Sequence, residues 1–426
     1  MGNPKFTSAQ EAISTIKPGS TIFIGESCGE PQTLVEALVE AKERLKGTHI
    51  VEGRRITGAK YAQLYDYFHI VTLHVRSDNR EAVRTGKSDF LPMKLSEAYA
   101  LFQANGPLPI DVALVQVSPP DKQGQCSLGV AVGFTLDAAL SARVVIAEVN
   151  NQMPRAYGKN QLPIDRFDYI VETSRPLLEF PSPEIGEVEM AVAANVSQLI
   201  NDGSTLSIGI GAIPGAVIRS LRGKRNLGIH SGMISDSIIT PIREKIITNE
   251  QKNIDRGKTV AAVALGTEKL FRFIDENPGV EMYPYSYTHD IKRIAQLDNF
   301  VSINSAVEVD LTGQINAESI GNVQISTIGG QADFTRGATL SRGGKRIIAL
   351  TSTTKNERNS KIVPQFGQGT VISTPRHDVQ YVVTEYGIAE LWGKTLSQRM
   401  KALISVAHPN FRDELYQASR TIRDNA

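Results

Sequence analysis

Apolar residues in this chain gather in short runs, and stretches with helical periodicity lie between them. Runs rich in valine and isoleucine, such as STIFIG at Ser20–Gly25 and VALVQV at Val112–Val117, are typical of buried strands. Glycine and proline turns separate the strands from the amphipathic stretches. Strands that alternate with helices predict α/β domains with largely parallel sheets.

The predicted strands share a short, β-branched composition and lie at Ser20–Gly25, Ile70–Val75, Val112–Val117, Val144–Val149, Ser204–Ile210, Leu227–His230, Val260–Leu265, Val301–Asn304, Ile347–Thr351 and Val379–Val383. The predicted helices lie at Ala9–Ile16, Thr33–Leu45, Leu95–Asn105, Leu136–Ser141, Gly186–Asn201, Pro214–Leu221, Ser397–Val406 and Asn410–Ser419. Several helices join one strand to the next, as crossovers in a parallel sheet require.

Two short patterns recur in the same order at nearly equal distances along the chain. GSTIFIG at Gly19–Gly25 is matched by GSTLSIG at Gly203–Gly209, and DKQGQ at Asp121–Gln125 is matched by DLTGQ at Asp310–Gln314. A proline-punctuated linker, FPSPE, lies between the copies at Phe180–Glu184. We therefore expect two open, largely parallel α/β domains of similar plan, residues 1–183 and 184–426.

The second half contains a strand, a glycine turn and a helix in direct succession. The strand Ser204–Ile210 runs into Gly209 and Gly211, and Pro214 suits the first turn of the helix that follows. Glycines let backbone N–H groups approach a ligand, and a helix N-terminus attracts phosphate or another anion. The alternative is a turn that only connects the two elements.

Further loops with reactive side chains follow later strands of the second half. Glu308 lies beyond Val301–Asn304, Ser326–Gln331 is a glycine turn, and Lys355 and Glu385 each follow a strand. In open α/β sheets, ligands lie beyond the carboxyl ends of strands, where such loops gather. Glycine N–H groups can bind an oxyanion, lysine a phosphate, and a carboxylate can act as nucleophile or base.

Each of these residues also has a purely structural interpretation. Glu308 could form an ion pair with an arginine at a domain seam, and Glu385 could cap its own turn. Lys355 could be a solvated loop charge, and Gly329 with Gly330 could make a tight bend. His230 fits a hydrogen-bonded strand end better than a base.

Composition narrows the class of protein. The chain has 426 residues, 41% of them hydrophobic and 21% charged, and a net charge of +1, which is typical of a globular protein of about two domains. Scattered Lys and Arg argue against nucleic-acid binding, and no apolar run is long enough for a membrane span. The N-terminal residues do not resemble a secretory signal, and two cysteines, Cys28 and Cys126, with dispersed histidines predict neither a disulfide framework nor a metal site. We expect a cytoplasmic protein.

The motifs together resemble the acetyl-CoA hydrolase/transferase group of the family I CoA-transferases, and most of all the 4-hydroxybutyrate and butyryl-CoA:acetate CoA-transferases. The resemblance extends over nearly the whole chain. It depends on the motifs Gly29–Pro31, Ser118–Gly124, Ser127–Gly129, Gly209–Pro214, Leu227–Ser231, Val309–Gly313, Ile328–Gly330, Asp333–Phe334 and Val383–Gly387.

The resemblance implies an enzyme that moves CoA between an acyl-CoA and a short-chain carboxylic acid, usually as a dimer or tetramer and without a tightly bound cofactor. It implies that CoA contacts the loop Gly209, Ile210, Gly211, Ala212 and Ile213, together with Ser326, Gly329, Gly330 and Lys355. Gly330 would also donate its N–H to an oxyanion.

The resemblance also implies a nucleophilic glutamate, which attacks the thioester and forms an acyl anhydride and then a glutamyl-CoA thioester. In the family this glutamate follows the histidine and a Ser or Thr, but here the sequence is His230-Ser231-Gly232-Met233, so glycine occupies the position. Three explanations follow: a disabled transferase that still binds acyl-CoA, a catalytic role for Glu308 or Glu385 in transfer or hydrolysis, or an alignment displaced by one loop.

Overall fold

The computed structural model describes residues 4–56 and 58–424, which form two compact units. The first unit comprises the chain up to Pro181 together with Gly232–Asp236 and Lys258–His289. The second comprises Ser182–Ser231, Ser237–Gly257 and the chain from Asp290 onward. The predicted division into domains 1–183 and 184–426 stays a prediction about how the chain divides into folding domains.

Most strands are short, and the longest belong to two large sheets. The strands are β1 (Lys5–Phe6), β2 (Thr21–Ile24), β3 (Thr48–Glu52), β4 (Phe68–Thr72), β5 (Ser88–Phe90), β6 (Val112–Val117), β7 (Gln125–Ser127), β8 (Val144–Asn150), β9 (Gln161–Pro163), β10 (Tyr169–Thr173), β11 (Thr205–Ile208), β12 (Gly228–Ile229), β13 (Met233–Ile234), β14 (Thr259–Ala261), β15 (Val263–Ala264), β16 (Val280–Met282), β17 (Phe300–Asn304), β18 (Glu308–Asp310), β19 (Ile315–Asn316), β20 (Ser319–Ile320), β21 (Val323–Gln324), β22 (Lys345–Ala349), β23 (Ile362–Val363), β24 (Tyr381–Thr384) and β25 (Gly387–Glu390).

The helices lie between these strands and after the last of them. They are α1 (Ala9–Ser14), α2 (Gln32–Glu40), α3 (Arg80–Arg84), α4 (Ala98–Phe102), α5 (Thr135–Ser141), α6 (Glu187–Gln198), α7 (Ala212–Arg219), α8 (Ile239–Arg243), α9 (Glu268–Ile274), α10 (Tyr285–Thr288), α11 (Ile291–Ile294), α12 (Gln331–Leu340), α13 (Leu396–Ser405) and α14 (Arg412–Asp424).

The first unit is built on an eight-stranded sheet with the order β1-β10-β8-β6-β2-β3-β4-β5, in which all neighbours are parallel. All six residues of β6 are buried, as expected for a central parallel strand covered on both faces. Apolar side chains of α1 and α2, among them Ile13, Leu34 and Leu38, pack against Ile22 and Ile50 of the sheet. The apolar runs of the sequence therefore form the core of this unit.

The second unit is built on a six-stranded sheet with the order β12-β11-β17-β22-β24-β25. Its neighbours are parallel except for the edge pair of β24 and β25. Together the two sheets confirm the predicted fold class of two open, largely parallel α/β halves.

The two sheets share one topological plan. In the first unit the chain leaves β2 for β3 on one side and later returns as β6 on the other side of β2. In the second unit it leaves β11 for β12 and returns as β17 on the other side of β11. Such a reversal of strand order opens a crevice at the carboxyl ends of the two strands, where α/β proteins bind ligands. We call these places the first and the second switch point.

Two predicted elements are wrong in detail, and one helix was missed. The run Val260–Leu265 is not one strand, because Ala262 interrupts it: its N–H donates to the Gly232 carbonyl, and β14 and β15 pair with different strands. The helix predicted at Thr33–Leu45 ends at Glu40, and turns follow. Helix α12 was missed because the glycine turn before it and its polar residues conceal the helical period.

Two further properties concern residues 4–56 and 58–424 only. No helix in this part of the chain is long and apolar enough to cross a membrane. The same residues contain no group of three or more His, Cys, Asp or Glu side chains arranged to hold a metal ion.

Candidate functional site

The turn between β11 and α7 presents backbone N–H groups at the second switch point. Gly211 has a φ of 126°, a conformation that other residues adopt only with strain, and it is the residue before the helix. Because glycine has no side chain, no cap covers the first N–H groups of α7, those of Ala212 and Ile213. The helix dipole adds partial positive charge there, so this end of the helix suits an anion.

A cavity of about 510 Å³ opens at this turn, within the size range of small-molecule sites. Every residue of its wall belongs to the second unit. The wall is formed by Gly186–Glu189, Ile210–Pro214, Ser305, Thr351, Thr353–Lys355, Glu357, Lys361, Glu385, Tyr386 and His408.

Two lysines place positive charge in the cavity wall, which also contains four glutamates, Glu187, Glu189, Glu357 and Glu385. Lys361 is half-buried, and its Nζ donates to Thr351 Oγ1 at 2.7 Å. Burial lowers the pKa of Lys361, and the Glu385 carboxylate acts in the opposite direction. Lys355 is exposed on the adjoining loop. A hydrogen-bonded and a solvent-exposed ammonium group beside a helix N-terminus are suited to phosphate oxygens.

Glu385 lines the cavity, but its carboxylate already has partners. The backbone N–H of Ser352 donates to Glu385 Oε2 at 2.9 Å, and the Ser352 hydroxyl donates to Oε1. The Asn195 amide donates to the Thr384 carbonyl at 2.9 Å and fixes the preceding residue. The side chain therefore ties its own turn to the loop after β22 and does not cap that turn, where Thr384 Oγ1 accepts the Tyr386 N–H instead.

Glu308 is not among the residues of the cavity wall. It is half-buried at the start of β18, where Asn316 Nδ2 donates to its Oε1 at 2.9 Å. The ion pair expected as one alternative is not found among the described residues, since an amide occupies that place. Of the two glutamates suggested as substitutes, only Glu385 lies at the cavity.

The glycine turn before α12 is also separate from the cavity wall. Gly329 has a φ of 55°, and Gly330 is the residue before the helix. Ser326 is held by its N–H, which donates to the Glu318 carbonyl at 3.0 Å, and by Gln324 Nε2, which donates to its carbonyl at 2.7 Å. The roles predicted for Ser326, Gly329 and Gly330 stay predictions, as does the contact of CoA with Gly209, which lies just before the wall residues.

Gly232 is buried at the point where the chain passes into a segment of the first unit. Its carbonyl accepts hydrogen bonds from the N–H groups of Ala262 and Val263 at 3.2 and 3.1 Å.

Sequence reasoning missed several residues of the cavity wall, chiefly Lys361, Ser305 and His408. Lys361 had a detectable signal, because it lies in the same polar loop as Lys355 and directly before the buried Ile362. His408 gave no local signal, since only tertiary packing brings this residue, in the loop between α13 and α14, to the cavity.

The first switch point differs in having buried charges, which the sequence did not reveal. Arg55 binds Glu52 at 2.6 Å and Asp78 at 3.2 Å. The carboxyl of Glu26 accepts the Phe134 N–H at 2.7 Å. Burial raises the pKa of Glu26 to about 7, and burial with the nearby Glu52 raises the pKa of Glu30 to about 8.

Family models match most of the chain. The model of the acetyl-CoA hydrolase/transferase N-terminal domain matches residues 3–179, and that of the C-terminal domain matches residues 266–419.

Relatives and solved structures agree with these models. The 4-hydroxybutyrate coenzyme A transferase of Clostridium kluyveri is 46% identical over 413 residues, which cover 96% of each chain. The butyryl-CoA:acetate CoA-transferase of Anaerostipes caccae is 35% identical over 96% of this chain and 95% of its own. The crystal structure of RipA from Yersinia pestis is 33% identical, with a TM-score of 0.93 over 98% of both chains. This protein therefore belongs to the acetyl-CoA hydrolase/transferase family, among its CoA-transferases.

Proposed function

We propose that this protein moves CoA between a short-chain acyl-CoA, of the 4-hydroxybutyryl, butyryl or acetyl type, and a free carboxylic acid. The single observation that supports it most is the cavity at the second switch point, where the uncapped start of α7 and two lysines meet. Its residues Ile210, Gly211, Ala212 and Ile213 are those for which the family resemblance implies contact with CoA.

In this proposal the anionic part of CoA binds to the N–H groups of Ala212 and Ile213, with Lys361 and Lys355 as counter-ions. The hydroxyl group of Thr353 adds a donor along the cavity, whereas that of Thr351 donates to the Thr353 carbonyl at 2.9 Å. Contacts of CoA with Ser326, Gly329 and Gly330, and an oxyanion bound by the Gly330 N–H, are further parts of the proposal. CoA is then a substrate, and the protein needs no tightly bound cofactor.

Because residue 232 is glycine, the proposal must say which residue could act as the nucleophile. Glycine cannot attack a thioester, so the covalent route through this position is closed. Glu385 supports an alternative route, because its carboxylate faces the cavity, although its two hydrogen bonds with Ser352 make it a weaker nucleophile. Glu308 would need to leave its bond with Asn316.

The glycine also favours two other functions. One is an acyl-CoA-binding protein of impaired activity, which would need the CoA cavity and no nucleophile. The other is an acyl-CoA hydrolase in which Glu385 or Glu308 accepts a proton from water that attacks the thioester.

One assay separates these functions. Butyryl-CoA is incubated with isotopically labelled acetate, and labelled acetyl-CoA is measured by mass spectrometry. Formation of labelled acetyl-CoA supports the transferase; loss of thioester at a rate independent of acetate identifies a hydrolase. Binding of butyryl-CoA in a calorimeter without loss of thioester identifies the binding protein, and both of the latter results contradict the proposal. Trapping with hydroxylamine, followed by peptide mass analysis, reports whether any glutamate becomes acylated.

A homo-oligomer, dimer or tetramer, and a cytoplasmic location complete the proposal. They rest on the family resemblance and on the composition. Analytical ultracentrifugation tests the first and fractionation of the source cells tests the second.

A further inference from the structure

An exposed aromatic ring, that of Tyr386, lies in the wall of the cavity at the second switch point. Tyr386 is 41% exposed, and Val188, in the first turn of α6, is 44% exposed. In the described part of the chain, these two are the exposed large apolar residues that belong to this wall. Exposed apolar surface inside a small-molecule cavity indicates that an apolar part of the ligand covers it.

The Tyr386 ring is held in place by its neighbours. The His408 ring meets it edge to face, with 5.4 Å between the ring centres and 88° between the planes. The Arg412 Cζ lies 5.6 Å from the centre of the Tyr386 ring, and Arg412 Nε donates to the Ala407 carbonyl at 2.9 Å. The Tyr386 N–H donates to Thr384 Oγ1 at 3.1 Å. A ring fixed in this way loses little conformational freedom when a ligand packs on it.

Carboxylates lie near the ring. Partial burial, with the charges of Glu385 and Glu357, raises the pKa of the Tyr386 hydroxyl, so this group is neutral. Both glutamates belong to the cavity wall, and Glu357 is exposed there. An ionised carboxylate only accepts hydrogen bonds, so a ligand beside the ring is favoured if it presents a donor.

The chemistry of CoA decides which part of it fits these residues. CoA has one aromatic group, the adenine base, whereas its pantetheine arm is a flexible chain of amide and alkyl groups. Adenine offers flat faces for stacking and an amino group as a hydrogen-bond donor. The phosphates attached to this base suit the start of α7 and Lys361, which line the same cavity. One cavity therefore provides for both parts of the nucleotide.

We propose that Tyr386 stacks on the adenine base of CoA, with Val188 in contact with the base and Glu357 accepting a hydrogen bond from its amino group. This inference rests on the proposed CoA transfer and deepens it by naming the residues that recognise the nucleotide. All three residues belong to the second unit, so the adenine site is complete within one unit.

Calorimetry with three probes tests the stacking. CoA and ADP contain the base, and inorganic pyrophosphate has only the anionic groups. We expect Tyr386→Leu to raise the Kd of CoA and ADP by about 5- to 100-fold, because stacking on an aromatic ring is lost. The Kd of pyrophosphate should change by less than about twofold. Tyr386→Phe keeps the ring and should bind all three probes as the wild type does.

Tyr416→Leu is the matched control. Tyr416 is 52% exposed on α14, and the Arg420 Cζ lies 5.1 Å from the centre of its ring, but it is outside the cavity wall. This variant should bind the probes as the wild type does. Equal losses for ADP and pyrophosphate in Tyr386→Leu would show that the ring only shapes the anion site and would overturn the inference. An unchanged Kd for ADP would do the same.

A second pair of probes tests the carboxylate. IDP has a carbonyl oxygen where ADP has the amino group, and is otherwise the same nucleotide diphosphate. The wild type should bind IDP about 3- to 10-fold more weakly than ADP, because Glu357 meets an acceptor in place of a donor. Glu357→Gln should reduce this difference, since an amide both donates and accepts. Equal Kd values of the wild type for ADP and IDP would contradict the role of Glu357.

Binding separates the inference from the proposed function. If ADP binds in a Tyr386-dependent way but no acid is exchanged, the proposed transfer fails and the adenine site remains. If labelled acetyl-CoA forms and Tyr386→Leu leaves the KM for butyryl-CoA within about twofold of the wild type, the inference fails and the transferase remains.

Discussion

The two switch points have the same topology but opposite chemistry. At the second, the loop after β11 consists of small and apolar residues, and the cavity beside it is lined by hydroxyl groups, two lysines and four glutamates. At the first, the loops after β2 and β3 contain the buried side chains Glu26, Glu30 and Arg55. One half therefore offers backbone donors to a ligand, and the other encloses charges in the protein.

Equivalent glycines show the same contrast. A Cβ at Gly25, after β2, would lie 3.2 to 3.3 Å from Gly29 O, Leu114 O and Pro31 Cδ. A Cβ at Gly209, the matching position after β11, would meet nothing within 4 Å. The first turn is closed by packing and the second is open. One topological plan can thus give a tightly packed corner in one half and an open corner in the other.

We expect the largest effect on the rate of CoA transfer from a variant that places a glutamate at position 232. Gly232→Glu should raise CoA transfer between butyryl-CoA and acetate by at least about 100-fold, because it restores the covalent route. Gly232→Gln is the matched control, with the same size and no nucleophile. Equal rates in the two variants, measured with purified protein, would contradict the role of this position.

A second test concerns the charges of the first switch point. The pKa of Glu26 is about 7 in the fold against 4.5 for a free side chain, so the folded state binds more protons between these values. Stability should therefore fall as pH rises from about 4.5 to 7, by up to roughly 3 kcal/mol from this residue. Glu26→Gln should remove that fall. Urea unfolding at pH 5 and pH 8 measures it, and parallel pH profiles for both proteins would be the contrary result.

Substitution of Gly25 and Gly209 should have a smaller effect, and it tests directly whether the first turn is packed and the second is open. Gly25→Ala should lower the free energy of unfolding by about 1–3 kcal/mol, since the added methyl group would lie 3.2 to 3.3 Å from two backbone carbonyls and must push them aside. Gly209→Ala should change it by less than about 0.5 kcal/mol but raise the KM for acyl-CoA, since the methyl group enters the ligand space. Denaturant titration and steady-state kinetics check both. A stability loss of the same size in the two variants would remove the distinction.

The smallest effect concerns the lysines of the second switch point. Lys361→Met should raise the KM for acyl-CoA by about three- to tenfold, and Lys355→Met by less, because the exposed ammonium is already well solvated. Raising the ionic strength should weaken the wild type more than Lys361→Met. Identical salt dependence would argue against an ionic contact at Lys361.

The sequence predicted best those strands that are buried on both faces of a sheet. The predicted strand Val112–Val117 has the same first and last residues as β6, because a central parallel strand needs an unbroken apolar run. It missed β3, Thr48–Glu52, although four of its five residues are buried. Glu52 makes this strand look polar, and its burial depends on Arg55, a partner that no period reveals.

The site was predicted in part for a similar reason. The residues Ile210–Ile213, Lys355 and Glu385 gather at one cavity because the ends of parallel strands meet at one edge of the sheet. His408 could not be identified, since only tertiary packing brings it to this cavity.

The way the first unit is assembled has a consequence for its synthesis. Val132 N–H and Ala264 N–H bond to the Ala262 and Val130 carbonyls, and Tyr285 N–H bonds to the Gly133 carbonyl. The interior around residues 130–133 is thus closed by chain made more than a hundred residues later. A nascent polypeptide released or cleaved near residue 183 would leave these backbone groups without partners, and we expect such a fragment to need a chaperone or the remaining chain to stay in solution.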